Sequence, residues 1–226
     1  MEKEELFSRI SHTQKNIAMV ISMAAARALK SVEKGENPKE LLEIIFDEAK
    51  MMEEISRDFS ILNQALRPKM GNCDLHSFIQ KHAKKFVMIG SSEVEFQFKL
   101  SAKILEVPCD VNLLRVAFDD IVKNAIEASA KKIVISTWIE EGMFQIGIAN
   151  DGDVIPEEKI HEIFEPFETS KPEGTGLGLA NAKTIVEEIH NGKIMVKSEK
   201  IYTGKGDKNN TEFIISLPVF VNEGSS

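Results

Sequence analysis

The chain has little cysteine, no long apolar run and no surplus of positive charge, and each shortage closes off a class of function. Two cysteines, Cys73 and Cys109, stand among 226 residues. They are far apart in sequence and form no CxxC pair, so neither a metal site nor a disulfide scaffold is indicated, and a reducing, cytoplasmic setting is expected. Lys and Arg number 28 against 36 Asp and Glu, a formal net charge of −8. A general nucleic-acid binder needs a basic surface to displace counterions from phosphates, so no nucleic-acid partner is expected. No stretch approaches the roughly 18 apolar residues of a membrane span. The most apolar run, Ile17 to Leu29, carries Ser22 and Arg27 and repeats at helical spacing. The opening Glu2-Lys3-Glu4-Glu5 is not the basic-then-apolar start of a secretory leader. What remains, 42% hydrophobic and 28% charged residues, is the composition of a globular protein with room for one large domain or two modest ones.

Two textures divide the chain. Leu6, Ile10, Thr13, Ile17, Val20 and Ala24 alternate spacings of four and three, the rhythm of a packed bundle seam. Gly35 and Asn37-Pro38 break it, and Pro38 suits the first turn of a second helix whose stripe is Ile45, Ala49, Met52, Ile55, Phe59, Leu62 and Leu66. Two helices alone cannot enclose a core, so residues 1–70 are expected to form an antiparallel hairpin that pairs with a second copy as a four-helix bundle. Residues 71–220 read as mixed helix and strand. Helices are expected at Leu75 to Val87, Val111 to Ala130 and Gly176 to His190, and strands at Val94 to Phe98, Lys132 to Ile139, Met143 to Ala149, Lys193 to Lys197 and Glu212 to Leu217. The long loop from Asn150 to Thr175 holds one short helix near Glu157 to Ile163, and loops of that length are uncommon unless functional. Arg67 to Asn72 reads as a linker and Gly204 to Asn210 as a polar tip.

Gly174-Thr175-Gly176-Leu177-Gly178-Leu179 lets backbone approach a ligand closely, and a helix after it points free N–H groups at an anion. Alone, the glycines fit an ordinary mobile loop equally well. They are not a dinucleotide fingerprint, because the segment before them holds Pro166 and Pro172 where a strand would be. Asn124 stands mid-helix in Ile121 to Ala128, where its amide competes for backbone bonds. A hard cation such as Mg²⁺ takes amide oxygens readily, and a solvent-facing Asn fits the spacing as well.

These motifs together resemble the ATP-binding domain of the histidine kinase family, related to the wider gyrase and MutL ATPase fold, over residues 110–217. Lys123-Asn124-Ala125 with Glu127-Ala128 resembles the asparagine box, which puts the family's magnesium-binding Asn at Asn124. Asn150 to Pro156, with Gly152 and Ile155, resembles the first glycine box, and Ile163-Phe164 to Lys171 the phenylalanine box. Gly174, Thr175, Gly176, Leu177 and Gly178 belong to the second glycine box, and Thr211-Glu212-Phe213 to the last. The resemblance implies an α+β protein, a helical hairpin followed by a Bergerat-type α/β sandwich, with ATP and Mg²⁺ as its ligands. Lys123 and Lys171 are candidate cations near the phosphates. Two positions depart from the pattern. The usual adenine-binding Asp falls on Asn150, a neutral and weaker acceptor, and the first Asn of the asparagine box falls on Asp120, whose carboxylate could hold a cation but would repel phosphate oxygens.

The helical segment carries a second resemblance. Phe7-x-x-Ile10-Ser11-His12 is similar to the phosphoacceptor box of histidine kinases, which implies His12 as the phosphorylated residue; His76, His82, His161 and His190 match no such box and read as structural. An imidazole with the ordinary pKa of about 6.5 is mostly the neutral nucleophile at cytoplasmic pH. The family commonly places Glu or Asp after the histidine as proton acceptor, and this chain has Thr13. Such help is worth ~10²–10⁴-fold. Folding the hairpin back is expected to bring Asp58 roughly level with His12 as a replacement. Asn16, four residues on and so on the same helix face, matches the position that orients a hydrolytic water on a phosphorylated partner. The expected activity is autophosphorylation of His12 by ATP and transfer to an Asp of a response-regulator receiver, with phosphatase activity toward that regulator, and with the signal arriving from a separate sensory domain or protein. The alternative is a histidine phosphotransferase or regulator phosphatase whose ATP domain is mainly regulatory. A serine kinase of the anti-sigma type is disfavoured by the hairpin with His12, and an ATPase clamp by the lack of further domains.

Overall fold

The computed structural model describes residues 3–65, 67–89, 94–100, 106–171, 174–203 and 206–219. They fall into two compact units, Met1–Asn63 with Glu165–Leu177, and Gln64–Phe164 with Gly178–Ser226.

The first unit is built on two helices, α1 (Lys3–Glu33) and α2 (Lys39–Ala65). The predicted seam is realised. Ile10, Ile17 and Ala24 are buried, Thr13 and Val20 half-buried, and Ala28 continues the row. Ile55 of α2 packs with Ile10 and Ile17, with Met51, Met52 and Phe59 around them, and the Phe7 ring meets Phe59 edge-on at 5.4 Å. α1 ends where Gly35 takes φ +73°, a left-handed conformation that a glycine adopts freely, while Glu36 N–H returns to the Ser31 carbonyl at 2.8 Å. α2 opens on Asn37, whose Oδ1 accepts the Lys39 N–H at 3.0 Å, with Pro38 between them. Ala49, expected on the seam, is instead exposed in the single chain. The side chain of Leu6 and those of Leu62 and Leu66 lie outside the described residues.

The second unit runs β1 (Gly71–Asp74), α3 (Leu75–Ile89), β2 (Glu95–Lys99), β3 (Glu106–Cys109), α4 (Val111–Glu127), β4 (Lys132–Glu140), β5 (Met143–Asn150), a short 3₁₀ turn (Glu157–Lys159), α5 (Gly178–Lys183) continued by a π-helical turn (Thr184–Ile189), β6 (Lys193–Thr203) and β7 (Gly206–Pro218). The main sheet has the order β2-β4-β5-β7-β6, with β2 parallel to β4 and the other pairs antiparallel. β4 and β5 meet through Glu141 (φ +50°) and Gly142 (φ +75°), the two left-handed residues of a tight hairpin. Ile133, Ile135, Phe144, Ile146 and Ile148 are fully buried. α3 and α4 cover that side: Phe78 meets Phe118 edge-on at 5.8 Å, and His76 Nε2 lies 2.9 Å from the Thr137 hydroxyl of β4.

The helix expected over Gly176 to His190 starts at Gly178, because Gly176 is left-handed at φ +65°. The helix expected to Ala130 ends at Glu127, with Ser129 at φ +61° closing the turn into β4. β1 and β3 were not expected. They form a separate antiparallel pair in which Cys73 opposes Val107 and Gly71 opposes Cys109, so the two cysteines, 36 positions apart, become neighbours. Both thiols are buried, and burial raises the pKa of each above the usual thiol range. Among the described residues no helix is long and apolar enough to cross a membrane.

Candidate active site

In the second unit the site is assembled on α4 and on the loop that leaves β5. α4 is anchored by Asp110, whose Oδ1 accepts the N–H groups of Asn112 and Leu113 at 3.0 and 3.1 Å, while Oδ2 accepts the Lys69 N–H at 2.6 Å. The Asp110 N–H donates to Nε2 of His190 at 2.9 Å, and His190 Nδ1 meets the Ile185 carbonyl at 2.6 Å. His190 is therefore the Nδ1–H tautomer and structural, as the sequence reading has it. Asp120 and Asn124 stand one turn apart on α4, Asn124 half-buried between the buried Ile121 and Ala125. Lys123 is exposed and pairs with Glu127 at 3.6 Å.

Asn150 ends β5 and is 5% exposed. Its Oδ1 accepts the Gly152 N–H and its Nδ2 donates to the Thr211 carbonyl, both at 3.1 Å. That pair of bonds fixes which end of the amide is acceptor. Asp151 accepts the N–H groups of Lys131 and Lys132, each at 2.8 Å, and so belongs to the loop rather than to a ligand. A Cβ on Gly152 would lie 2.4 Å from the Ala128 carbonyl oxygen, which explains glycine here without any ligand. Ile155 N–H donates to Ser198 Oγ at 2.8 Å, and Ser198 in turn bonds Thr211 Oγ1 at 2.6 Å. Phe164 meets Phe213 edge-on at 6.3 Å. A Cβ on Gly178 would lie 3.5 Å from the Asp120 carboxyl carbon, so the start of α5 faces the asparagine-box turn of α4.

Asn124 is half-buried and stands one turn along α4 from Asp120, which faces the start of α5, and side-chain oxygens of these two types fit a hard cation. Sequence reasoning missed Ser198, which ties the Ile155 loop to β7, and Asn181 of α5. Asn181 is 1% exposed and its Nδ2 makes no hydrogen bond among the described residues. Nothing in Ala180-Asn181-Ala182 signals a buried amide.

In the first unit His12 is exposed on α1, and the Asn16 amide nitrogen lies 3.3 Å from its Nδ1. Thr13 turns its hydroxyl to the Arg9 carbonyl at 3.0 Å and offers the ring nothing. Asp58, the expected replacement for a proton acceptor beside His12, lies on α2 next to Phe59, whose ring packs on Phe7 of α1. Its Oδ2 accepts the Thr175 hydroxyl at 3.1 Å. Thr175 belongs to the segment Glu165–Leu177, which groups with the helices although the sequence division at residue 70 puts it with the second domain. Arg9 lies over the Phe167 ring at 4.6 Å. The Gly176 carbonyl accepts the Phe167 N–H at 2.8 Å, and a Cβ on Gly176 would lie 2.4 Å from the Phe167 carbonyl carbon. Thr169 Oγ1 accepts the Lys171 N–H at 3.1 Å and would lie 2.5 Å from a Cβ on Gly174. Leu177 is buried, its N–H on Thr175 Oγ1 at 3.3 Å.

Residues 109–220 match the family model described as histidine kinase-, DNA gyrase B- and HSP90-like ATPase. Sporulation kinase E of Bacillus subtilis is 38% identical over 131 residues, which cover 57% of this chain and 17% of that kinase. The catalytic domain of histidine kinase ThkA is 30% identical, covering 67% of this chain and 96% of that one, with a TM-score of 0.59. ThkA in complex with response regulator protein TrrA shares the fold over 97% of this chain and 63% of that one, at 24% identity and a TM-score of 0.70. The chain spans about half or less of the length of the curated relatives it matches. With a 30% identical catalytic domain covered almost end to end, the chain belongs to the histidine kinase family.

Proposed function

We propose that this chain is the core of a two-component histidine kinase, which autophosphorylates His12 with ATP and passes the phosphoryl group to an Asp of a response-regulator receiver. The observation that carries the reading is an exposed histidine on α1, its ring met by Asn16, in the same chain as a histidine kinase type catalytic domain. On this reading residues 1–70 are the dimerisation and phosphoacceptor hairpin and 71–220 the ATP-binding domain.

Asn124 would hold Mg²⁺, which when bound neutralises phosphate charge. Asn150, clamped with Oδ1 as acceptor, offers its remaining lone pair to the adenine amine, and Ile155 and Phe164 would line the base. Gly174 to Gly178 would bring backbone close to the triphosphate, with Lys123 and Lys171 as cations at the phosphates. Asp120 would serve as a cation ligand rather than a phosphate contact. Leu42, Phe46 and Ala49, exposed at spacings of four and three on α2, support a homodimer in which a second copy covers them. ThkA, whose catalytic domain is the 30% identical relative, has been solved with a response regulator, which supports a receiver partner.

The test is incubation with ATP labelled at the γ-phosphate. Acid-labile, base-stable label is expected on the wild type, absent from His12→Gln and abolished by EDTA. Because Thr13 supplies no proton acceptor, the second reading is regulator phosphatase or phosphotransferase. An unlabelled wild type that still binds nucleotide, and that dephosphorylates a phosphorylated receiver domain less well after Asn16→Ala, would favour it.

A further inference from the structure

We propose, on the reading of Asn150 to Ile155 as one wall of an ATP site, that Ser198 of β6 is a positioning residue for the nucleotide base. The loop that leaves β5 is anchored at both ends. At its start Asp151 accepts the Lys131 and Lys132 N–H groups, each at 2.8 Å, and Asp153 N–H donates to the Ala128 carbonyl at 2.8 Å. Those bonds tie it to the turn that leads from α4 into β4. At its end Ile155 N–H donates to Ser198 Oγ, also at 2.8 Å. The next residue, Pro156, has no N–H to give. Ile155 is therefore the last backbone donor of the loop before the 3₁₀ turn (Glu157–Lys159) begins.

Ser198 is itself fixed. It stands opposite Thr211 of β7 in the sheet register, and the two hydroxyl oxygens lie 2.6 Å apart. The Ile155 N–H can only donate, so Ser198 accepts there and has its own proton to give to Thr211 Oγ1. Thr211 is 3% exposed, and its carbonyl accepts the Asn150 Nδ2 at 3.1 Å. One buried residue of β7 thus locates two parts of the base site. Its carbonyl holds Asn150, the acceptor for the adenine amine, and its hydroxyl holds Ile155 through Ser198. Alanine at position 198 leaves the Ile155 N–H without that acceptor and lets the loop end drift from the sheet. Ile155 and Ser198 are only half-buried, so the loss of their bond is separable from loss of the fold. The phosphates, which the same reading gives to Asn124 and to Gly174 to Gly178, keep their partners. Removing the Ser198 hydroxyl therefore weakens the hold on the base and leaves the reacting phosphorus as it was.

Titration of the full chain with Mg-ADP and with Mg-ATP is expected to show Ser198→Ala binding both about 3- to 10-fold more weakly, the size of one lost hydrogen bond. Both nucleotides should lose by the same factor, because they share the base and differ in the γ-phosphate. Ser198→Thr keeps the hydroxyl and suits a strand, and it should bind as the wild type does. In the labelling assay Ser198→Ala should raise KM for ATP by that factor and leave kcat unchanged. Amide hydrogen exchange followed by NMR should find the Ile155 N–H protected in the wild type and in Ser198→Thr, and unprotected in Ser198→Ala. A Ser198→Ala variant with wild-type affinity, or one that binds weakly while its Ile155 amide stays protected, overturns the proposal. A wild type that binds neither nucleotide overturns the ATP reading and the role in base binding with it, and the exchange result then shows separately whether Ser198 anchors the loop.

Discussion

Asn150 shows how a single atom exchange can carry two opposed effects. Its Nδ2 donates to the Thr211 carbonyl and its Oδ1 accepts from Gly152. In Asn150→Asp the first bond is replaced by a carboxylate oxygen facing a carbonyl oxygen in a buried place. The expected cost is about 1–3 kcal/mol of stability, read as a lower urea midpoint, even though a charged acceptor would hold the adenine amine more strongly. Nucleotide titration of the same variant separates the two effects. Gly152→Ala has no such compensation, since its Cβ would lie 2.4 Å from the Ala128 carbonyl oxygen. It should destabilise the second unit by about 3 kcal/mol or more, with thermal unfolding as the check. At this scale the sequence singled out Asn150 and Gly152 but not their bonds. Asn150 was legible as an acceptor, whereas its partner Thr211 is 61 residues away and Asn181 lies in a run with nothing to mark it.

Helix caps show what the next scale adds. Asp74 caps α3, accepting the Ser77 hydroxyl at 2.7 Å and the Ser77 and His76 N–H groups at 3.0 Å. These bonds, the Ser77 hydroxyl first, hold its carboxyl below the usual value of 3.8. A group whose pKa is depressed by folding stabilises the fold above its unfolded pKa and loses that contribution as pH falls through the folded one. The stability gap between wild type and Asp74→Ala should therefore be full at pH 6 and should close progressively below about pH 3.8, measured by urea midpoints. Asp110→Ala should cost more than Asp74→Ala, about 2 kcal/mol, because Asp110 also accepts the Lys69 N–H. The main helices and sheet strands were legible because their periodicity is long. β1 and β3 were not. They span four residues each, one starts on Gly71 and the other holds Pro108, and they are defined only by each other. The start of α5 was missed because the left-handed Gly176, two residues earlier, is demanded by the neighbouring Phe167 backbone rather than by local propensity.

The exposed apolar face of the first unit bears on the state of the whole molecule. Two helices bury one stripe between them and leave the rest of their apolar residues without cover. Phe46 is 70% exposed, Leu29 68%, Met23 59% and Val32 59%. Spacing puts Ala49 on the inner stripe of α2, whereas its exposure beside Leu42 and Phe46 makes it part of an outer stripe. Large exposed patches of this kind mark surfaces that meet another protein, and an amphipathic helix pair is best covered by an identical one. Sedimentation at micromolar concentration should give about twice the 25.3 kDa chain mass. Phe46→Glu places a charge in the centre of that stripe and should shift the molecule to the single-chain mass. Because Phe46 is largely exposed within its own chain, the substitution leaves the Ile10, Ile17 and Ile55 cluster intact. Nucleotide binding by the variant should therefore persist, whereas a helical hairpin that needs its partner for stability should lose circular-dichroism signal on dilution. Wild-type protein that sediments at 25.3 kDa and keeps its helix signal would instead show that the outer stripe has another occupant.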